Sequence, residues 1–443
     1  MLFSSVDFFI FFLFFILFIK FVHQYQKNII ILFSLFFYSY WNIFFLPLIL
    51  FYCFVVYFFL RKNYSLIVSI FILLIPLIYF KYSLFIFKVL NLDFLVEFSY
   101  KEEIPLAISF VTFTAIAVLV DRKNKPNHDY NISSISEYIL YFPQLIAGPI
   151  LRLNQLLPQL KQKIIFNKNN IKFAIILFSI GFLKKVYFAD NIALIIDPIF
   201  QDPNIHSNVD IIKAFLLFPI QIYFDFSGYV DMALGISISL GISLPQNFDR
   251  PYLISSISEF WRKWHMTLSS WFRDYMYIPL GGSQKGKIRM NFNLIFTMII
   301  AGLWHGASLN FILWGFLNGL ILTIEKFLNF HKFSYNILSN IFICFIIFNL
   351  WVVFRITEFD KMIDFFNIFY TSNIDDFISK EILITLISII ILIISQKFEQ
   401  HKILNSFSSK ISLSFLMPLF LAILIVGISI SLGQSEKFIY FQF

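Results

Sequence analysis

Runs of about 20 mostly apolar residues, the length a helix needs to cross the hydrocarbon core of a bilayer, recur along this 443-residue chain with short polar pieces between them. In hydrocarbon each backbone N–H and C=O must find its partner inside the element, so such runs fold as helices. The composition agrees: 59% of the residues are hydrophobic and 14% charged, against about 25% charged in soluble domains. A soluble fold has no room to hide that much apolar surface. The expected fold is all-α and polytopic, a single integral-membrane domain over residues 1–443, and no stretch reads as a separate soluble domain.

Candidate spans fall at about 6–22, 29–45, 46–60, 64–80, 104–120, 171–188, 211–230, 291–309, 311–328, 337–354, 381–396 and 411–432, which makes about ten to twelve helices. Pro47 should break the chain between the second and third. No basic n-region or small-residue cleavage site marks the first run, which is expected to remain an uncleaved span.

The net charge of +8 needs no nucleic acid to explain it, because cytoplasmic loops of membrane proteins carry excess Lys and Arg. Segment 121–170 holds Arg122, Lys123, Lys125, Arg152, Lys161, Lys163 and Lys168, and 245–290 is also basic; both are expected in the cytoplasm. Segment 189–210, with Asp190, Asp197, Asp202 and Asp210 and no Lys or Arg, is expected outside. Cys53 and Cys344 lie far apart in apolar runs and suggest neither a disulfide framework nor a metal site.

Two regions depart from plain spans. Residues 137–160 place Pro143, Gly148, Pro149 and Pro158 in a partly apolar stretch, which predicts a re-entrant or interfacial segment. Residues 254–278 mix Trp261, Trp264, Trp271, Tyr275 and Tyr277 with Arg262, Lys263, Arg273 and Asp274, the chemistry of a wetted membrane interface.

Seven histidines are present, and His23, His128, His206, His331 and His401 lie in loops or near span ends. His305 differs, because AGLWHGASLNF sets it inside an apolar run, where an ionisable group is costly and by default points to function. Gly302, Gly306, Ala301, Ala307 and Ser308 allow close backbone approach, and Trp304 supplies a flat wall, so the place is either packed or open to a substrate tunnel. A histidine that only bridges two helices is the plainer alternative. His265, beside Trp and Arg, reads first as a wetted interfacial residue, although Arg262, Lys263 and Arg273 would suit an anionic ligand. The chain has no P-loop, GxGxxG, HExxH or GxSxG motif, and Gly281–Gly282 reads as a turn.

The string QNFDRPYLISSISEFWRKWHMTLSSWFRDYMYIPLGGS (246–283), followed by LWHG at 303–306, resembles the membrane-bound O-acyltransferase (MBOAT) family. YFPQLIAGPILR (141–152), FDFSGYVDMALGISISLGI (224–242) and the ending KFIYFQF (437–443) are similar to further segments of its bacterial branch, in the same order. That branch acetylates alginate or peptidoglycan, with teichoic-acid D-alanylation proteins as more distant relatives. The likeness is strong over about residues 100–330, flanked by N-terminal helices 1–100 and C-terminal helices 331–443.

The resemblance implies an MBOAT fold of spanning helices with re-entrant or interfacial helices around a central tunnel. It implies an enzyme of the bacterial inner membrane that moves an acetyl group from a cytosolic thioester to an extracytoplasmic polysaccharide. His305 matches the family's principal catalytic histidine and His265 its second. Trp261, Arg262, Lys263, Trp264, Arg273, Trp304 and Asn310 become candidates for contact with donor or substrate. No bound cofactor or metal is expected; acetyl-CoA is the expected donor. Membrane lipid surrounds the chain, and a periplasmic SGNH-type acetyltransferase is the expected partner. Peptidoglycan is the favoured acceptor, with alginate or another exopolysaccharide also compatible. The competing class is a transporter or flippase that moves an acyl carrier or polysaccharide precursor without chemistry.

Overall fold

The computed structural model describes residues 1–62, 64–101, 103–124, 131–146, 148–328, 336–373, 380–398 and 400–431. His128, His331, Lys125 and the KFIYFQF ending lie outside the described residues. Among the described residues every regular element is a helix. Five are long and apolar enough to cross a bilayer: Ile43–Arg61, Leu66–Val89, Leu309–Leu328, Ile337–Arg355 and Leu413–Ile430. A sixth crossing results if Val6–Phe21 and His23–Ser39, bent by 105° between them, form one broken span. The protein is a multi-pass membrane protein.

The sequence pattern predicts about ten to twelve spans, and the remaining runs are indeed helical but differ in kind. Expected span 211–230 lies within a 32-residue helix, Asn208–Ser239, that carries Asp210, Lys213, Asp225 and Asp231. Expected span 171–188 is a helix, Lys168–Phe182, followed by a wider turn, Leu183–Ala189, containing Lys184 and Lys185. Expected span 291–309 is Gly286–His305, whose Asn291, Asn293 and His305 dilute its apolar character. Polar groups at these places are compatible with helices covered by protein, where side chains supply partners that lipid lacks.

The chain divides into two compact units, Met1–Phe178 with Tyr229–Pro245, and Ser179–Gly228 with Gln246–Phe443. In the first, aromatic rings hold the N-terminal helices together: Phe142 meets Phe11 and Phe15 edge-on at 5.3 and 5.2 Å. Such edge-to-face pairs add about 0.5–1.5 kcal/mol beyond the area they bury. The irregular backbone expected at 137–160 is present: helix Ile132–Leu140 gives way to a single turn, Phe142–Leu145, and then to helix Leu153–Leu160. Two of its buried carbonyls are met by side chains, with Tyr138 Oη donating to the Leu151 carbonyl at 2.6 Å and Gln144 Nε2 to the Tyr138 carbonyl at 2.5 Å. Pro47 falls in the first turn of helix Leu46–Arg61, where its missing N–H costs nothing.

The second unit contains the hairpin of Gly286–His305 and Leu309–Leu328. The glycines of this hairpin allow the close backbone approach expected of them. A Cβ on Gly302 would lie 2.1 Å from the Phe311 carbonyl oxygen, and one on Gly315 would lie 2.3 Å from that of Met298. Neither neighbour is a side chain that can swing away. Elsewhere in this unit, Lys185 Nζ sits 2.7 Å from Asp190 and 2.6 Å from Asp225, an ion cluster almost wholly removed from solvent.

Gly302→Ala should separate the two hairpin helices and destabilise the protein by about 1–3 kcal/mol, the usual range for overpacking. The melting temperature of the detergent-solubilised variant, compared with an alanine at exposed Leu309, measures this.

Candidate active site

His305 is the last residue of its helix, and the chain leaves it through Gly306 in an extended conformation. The ring is 6% exposed and lies among aromatic rings. Centroid separations are 4.9 Å to Trp304, 5.0 Å to Phe354 and 5.4 Å to Trp314, each edge-on. Phe311 is stacked at 6.5 Å. Such a box surrounds the imidazole with apolar ring faces and edges.

His265 joins two short helices, Ile257–Lys263 and Met266–Phe272. The wetted interfacial residue expected here is instead 1% exposed, and neighbouring Trp264 is 2% exposed. The reason is local: His265 adopts the left-handed conformation, φ 41° and ψ 55°, which turns the chain and aims the ring inward. For a residue with a Cβ this backbone costs about 1–2 kcal/mol, and strain of this kind persists where surrounding contacts enforce it. Asn247 is the enforcer. Its Oδ1 receives the Thr267 N–H at 3.1 Å and the Thr267 hydroxyl at 2.7 Å, while its carbonyl takes the Met266 N–H at 2.9 Å.

The same Oδ1 lies 3.2 Å from His265 Nδ1. Because the Thr267 N–H can only donate, the Asn247 atom facing it is the oxygen, and an oxygen acceptor makes His265 Nδ1 the protonated nitrogen. Nε2 then carries the lone pair, and it has no hydrogen-bond partner among the described residues. Burial pushes the His265 pKa from the usual 6.5 down to about 3, so this histidine stays neutral at physiological pH. Phe226 covers the ring edge-on at 4.7 Å, and Trp304 lies on another side at 6.0 Å. The indole of Trp304 is thus shared by both histidines, although 40 positions separate them in sequence (305 minus 265).

The remaining candidates are distributed unevenly. Trp261 Nε1 donates to Asn318 at 3.2 Å and its ring meets Trp314 edge-on at 5.6 Å, so it braces the wall behind His305. Trp264 stacks on Phe260 at 5.5 Å as part of the core. Asn310 Nδ2 donates to the Ile356 carbonyl at 2.6 Å, tying the start of its helix to the segment after Arg355. Lys263 is held by Glu259 at 2.8 Å and by the Leu253 carbonyl at 2.8 Å, and Arg273 pairs with Asp274 at 2.7 Å. Arg262 is exposed and forms no ion pair among the described residues. Sequence reasoning did not single out Asn247, Asn318 or Glu325. Buried Glu325 accepts the Ser258 N–H at 3.1 Å and so seats the helix that leads to His265. No spacing marks these three, but each is a polar residue that the fold hides.

Among the described residues no group of three His, Cys, Asp or Glu side chains is placed to hold a metal ion. The titratable side chains gathered around Trp304 are the two buried imidazoles, His265 and His305.

With this geometry in place, the comparisons define the class. Residues 29–359 match the model of the MBOAT, membrane-bound O-acyltransferase, family, and the chain belongs to that family. Its relatives include a peptidoglycan O-acetyltransferase of Helicobacter pylori, 36% identical over 340 residues, covering 68% of this chain and 64% of the relative. A probable alginate O-acetylase AlgI of Pseudomonas syringae pv. tomato is 38% identical over 258 residues, covering 57% of this chain and 49% of the relative. A teichoic acid D-alanyltransferase of Streptococcus thermophilus is 26% identical over 237 residues, 50% of this chain and 56% of the relative. The matched part therefore spans about half to just under two thirds of the length of these relatives.

Asn247→Ala should strand the Thr267 N–H and the His265 Nδ1–H, costing about 1–3 kcal/mol for each buried group left unpaired; thermal unfolding reads this. A second expectation concerns pH. An unfolded His265 takes up its proton near 6.5 and the folded one only near 3, so the unfolded state binds more protons between these values. Stability should fall as pH drops below 6.5, by about 2 kcal/mol at pH 5 from this residue. Melts at pH 7 and pH 5 should show a smaller difference in His265→Gln than in the wild type.

Proposed function

We propose that the chain is an O-acyltransferase of the bacterial inner membrane. In this reading it passes an acetyl group from a cytosolic thioester, acetyl-CoA, towards the outer side for O-acetylation of a polysaccharide. Peptidoglycan is the favoured acceptor and alginate the next, following the names of the relatives. The observation that carries the reading is the pair of buried imidazoles flanking the Trp304 indole, at 4.9 and 6.0 Å. A transporter without chemistry has no evident use for two buried histidines gathered on one indole in an aromatic setting.

His305 acts as the general base. It takes the proton of the acceptor hydroxyl as that oxygen attacks the thioester carbonyl carbon. The new C–O bond forms, the C–S bond breaks, and the proton passes from His305 to the departing thiolate, which leaves as a thiol. A positioned base of this kind contributes about 10²–10⁴-fold in rate. His265, fixed as its Nδ1–H tautomer by Asn247, presents Nε2 as a hydrogen-bond acceptor that orients the acceptor hydroxyl. Arg262, the unpaired member of the basic trio, meets the donor's phosphates. The outer acceptor is the serine of a periplasmic SGNH-type acetyltransferase partner, which then acetylates the polymer. The acetyl group is small and uncharged enough to move through the protein where the charged donor cannot.

His305→Ala should insert and accumulate normally yet lose at least about 10²-fold of acyl transfer. Base-labile acetate released from purified cell wall and from surface polysaccharide, at matched protein level, provides the assay. Undiminished acetate in both fractions would refute the role. Arg262→Ala should raise the KM for donor several-fold and leave kcat nearly unchanged, since loss of ground-state binding appears in KM.

A further inference from the structure

The first unit contains a cavity of about 660 Å³ whose rim carries His23, Arg61, Lys161 and Lys163 and whose floor includes Lys27 and Glu137. Its volume lies in the ordinary range for small-molecule sites, about 300–1,000 Å³. Arg61, Lys161 and Lys163 are exposed, while Glu137 and Ser134 are buried, so polarity extends from the surface to the bottom. None of the four Lys and Arg side chains forms an ion pair with a carboxylate among the described residues. With Glu137 the one acidic side chain among its lining residues, the cavity carries an excess of positive charge.

Its geometry is fixed rather than left to mobile lysines. Gln26 clamps the 160–164 segment, donating to the carbonyls of Leu160 at 3.3 Å and Gln162 at 2.9 Å and accepting the Ile164 N–H at 2.8 Å. Lys27 Nζ is held by Ser134 Oγ at 3.1 Å, one helical turn before Glu137. Glu137 is 2% exposed, and its Oε1 has no hydrogen-bond partner among the described residues. A buried carboxyl oxygen left open inside a basic cavity is costly unless a ligand completes it.

We propose that this cavity is a binding site for a phosphate-bearing anion, whose phosphate oxygens meet Lys27, Arg61 and Lys161 while protonated Glu137 donates to one of them. Burial supports that protonation, raising the Glu137 pKa to about 7 despite the opposing pull of Lys27 and Lys161. The charged groups around Glu137 are these two lysines together with Arg61, Lys163 and His23; helix Ile108–Asn124, which also packs on its helix, contributes Asp121 and Arg122. An anion at the floor would favour the protonated acid further, so binding should tighten as pH falls through 7. The phosphate comes either from a soluble phosphate ester or from an anionic lipid headgroup. All of these residues belong to the first unit, so the proposal does not rest on the acyl-transfer reading and its test does not measure transfer.

The test uses the full chain purified into phosphatidylcholine nanodiscs. One arm measures pyrophosphate binding by calorimetry at pH 6 and pH 8; the other measures retention of phosphatidylglycerol by native mass spectrometry after mixed-lipid reconstitution. The double variant Lys27→Gln with Lys161→Gln should weaken binding at least about tenfold, as expected when charge-assisted contacts are lost. Arg61→Gln, on the exposed rim, provides a second variant if the first misassembles on size exclusion. Loss in the pyrophosphate arm identifies a soluble ester, and loss in the lipid arm alone identifies a headgroup. Glu137→Gln should retain binding and shift the ratio of affinities at pH 6 and pH 8 from that of the wild type towards weaker binding at pH 6, the ionisation of pyrophosphate itself being common to both proteins. Failure of the wild type to bind either probe, binding unchanged in the lysine and arginine variants, or loss of binding in Glu137→Gln would overturn the proposal.

Discussion

Two helix backbones in the hairpin Gly286–His305 and Leu309–Leu328 approach until only hydrogen fits between them, at Gly302 against Phe311 and at Gly315 against Met298. In a bilayer lipid is as apolar as leucine, so the contact draws on close packing rather than on escape from water. The approach brings Phe311 and Trp314 of one helix onto His305 of the other, and Phe354 closes the far side. The imidazole environment is thus a consequence of how near two backbones can come. Widening the hairpin by one methyl group would loosen every wall of the box together.

Removing polar groups from solvent without leaving them bare is the second constraint. Lys185 answers to Asp190 and Asp225 at once, Arg355 to Asp197 at 2.9 Å, and Glu325 to a backbone N–H at the start of the helix before His265. Breaking such a buried cluster by removing one member typically costs about 3–5 kcal/mol, because the remaining charge is left unpaired. These groups explain why several helices fail a simple apolar test for spanning and still belong in a multi-pass protein. Their polarity faces protein rather than lipid.

This is also where the sequence could be read and where it could not. His305 was legible because a single titratable residue interrupts an apolar run, and the break at 137–160 was legible because proline and glycine state their backbone demands locally. The number of spans was less legible, since hydropathy alone does not separate a helix bathed in lipid from a protein-covered one such as Asn208–Ser239 that carries several acids. The burial of His265 was hidden for a different reason. It depends on Asn247, 18 positions earlier, and on a left-handed backbone that nothing in the string WRKWH announces. Composition correctly marked that segment as aromatic and basic, but the structure turns its rings inward and pairs Lys263 and Arg273 with their own neighbours.

The two histidines differ in how they are held, and the difference bears on what each can do. His265 has its proton fixed on Nδ1 by a carbonyl oxygen that also serves Thr267. Moving the proton to Nε2 would set the Nδ1 lone pair against that oxygen, so the tautomer is held in place. His305, packed among rings at a helix end, meets no such demand from Asn247, and the dipole of its helix favours transient positive charge there. Aromatic walls raise the cost of holding that charge for long. The two imidazoles therefore share the Trp304 indole but stand in different company, His265 tied to the Asn247 amide and His305 walled by Trp304, Trp314 and Phe354.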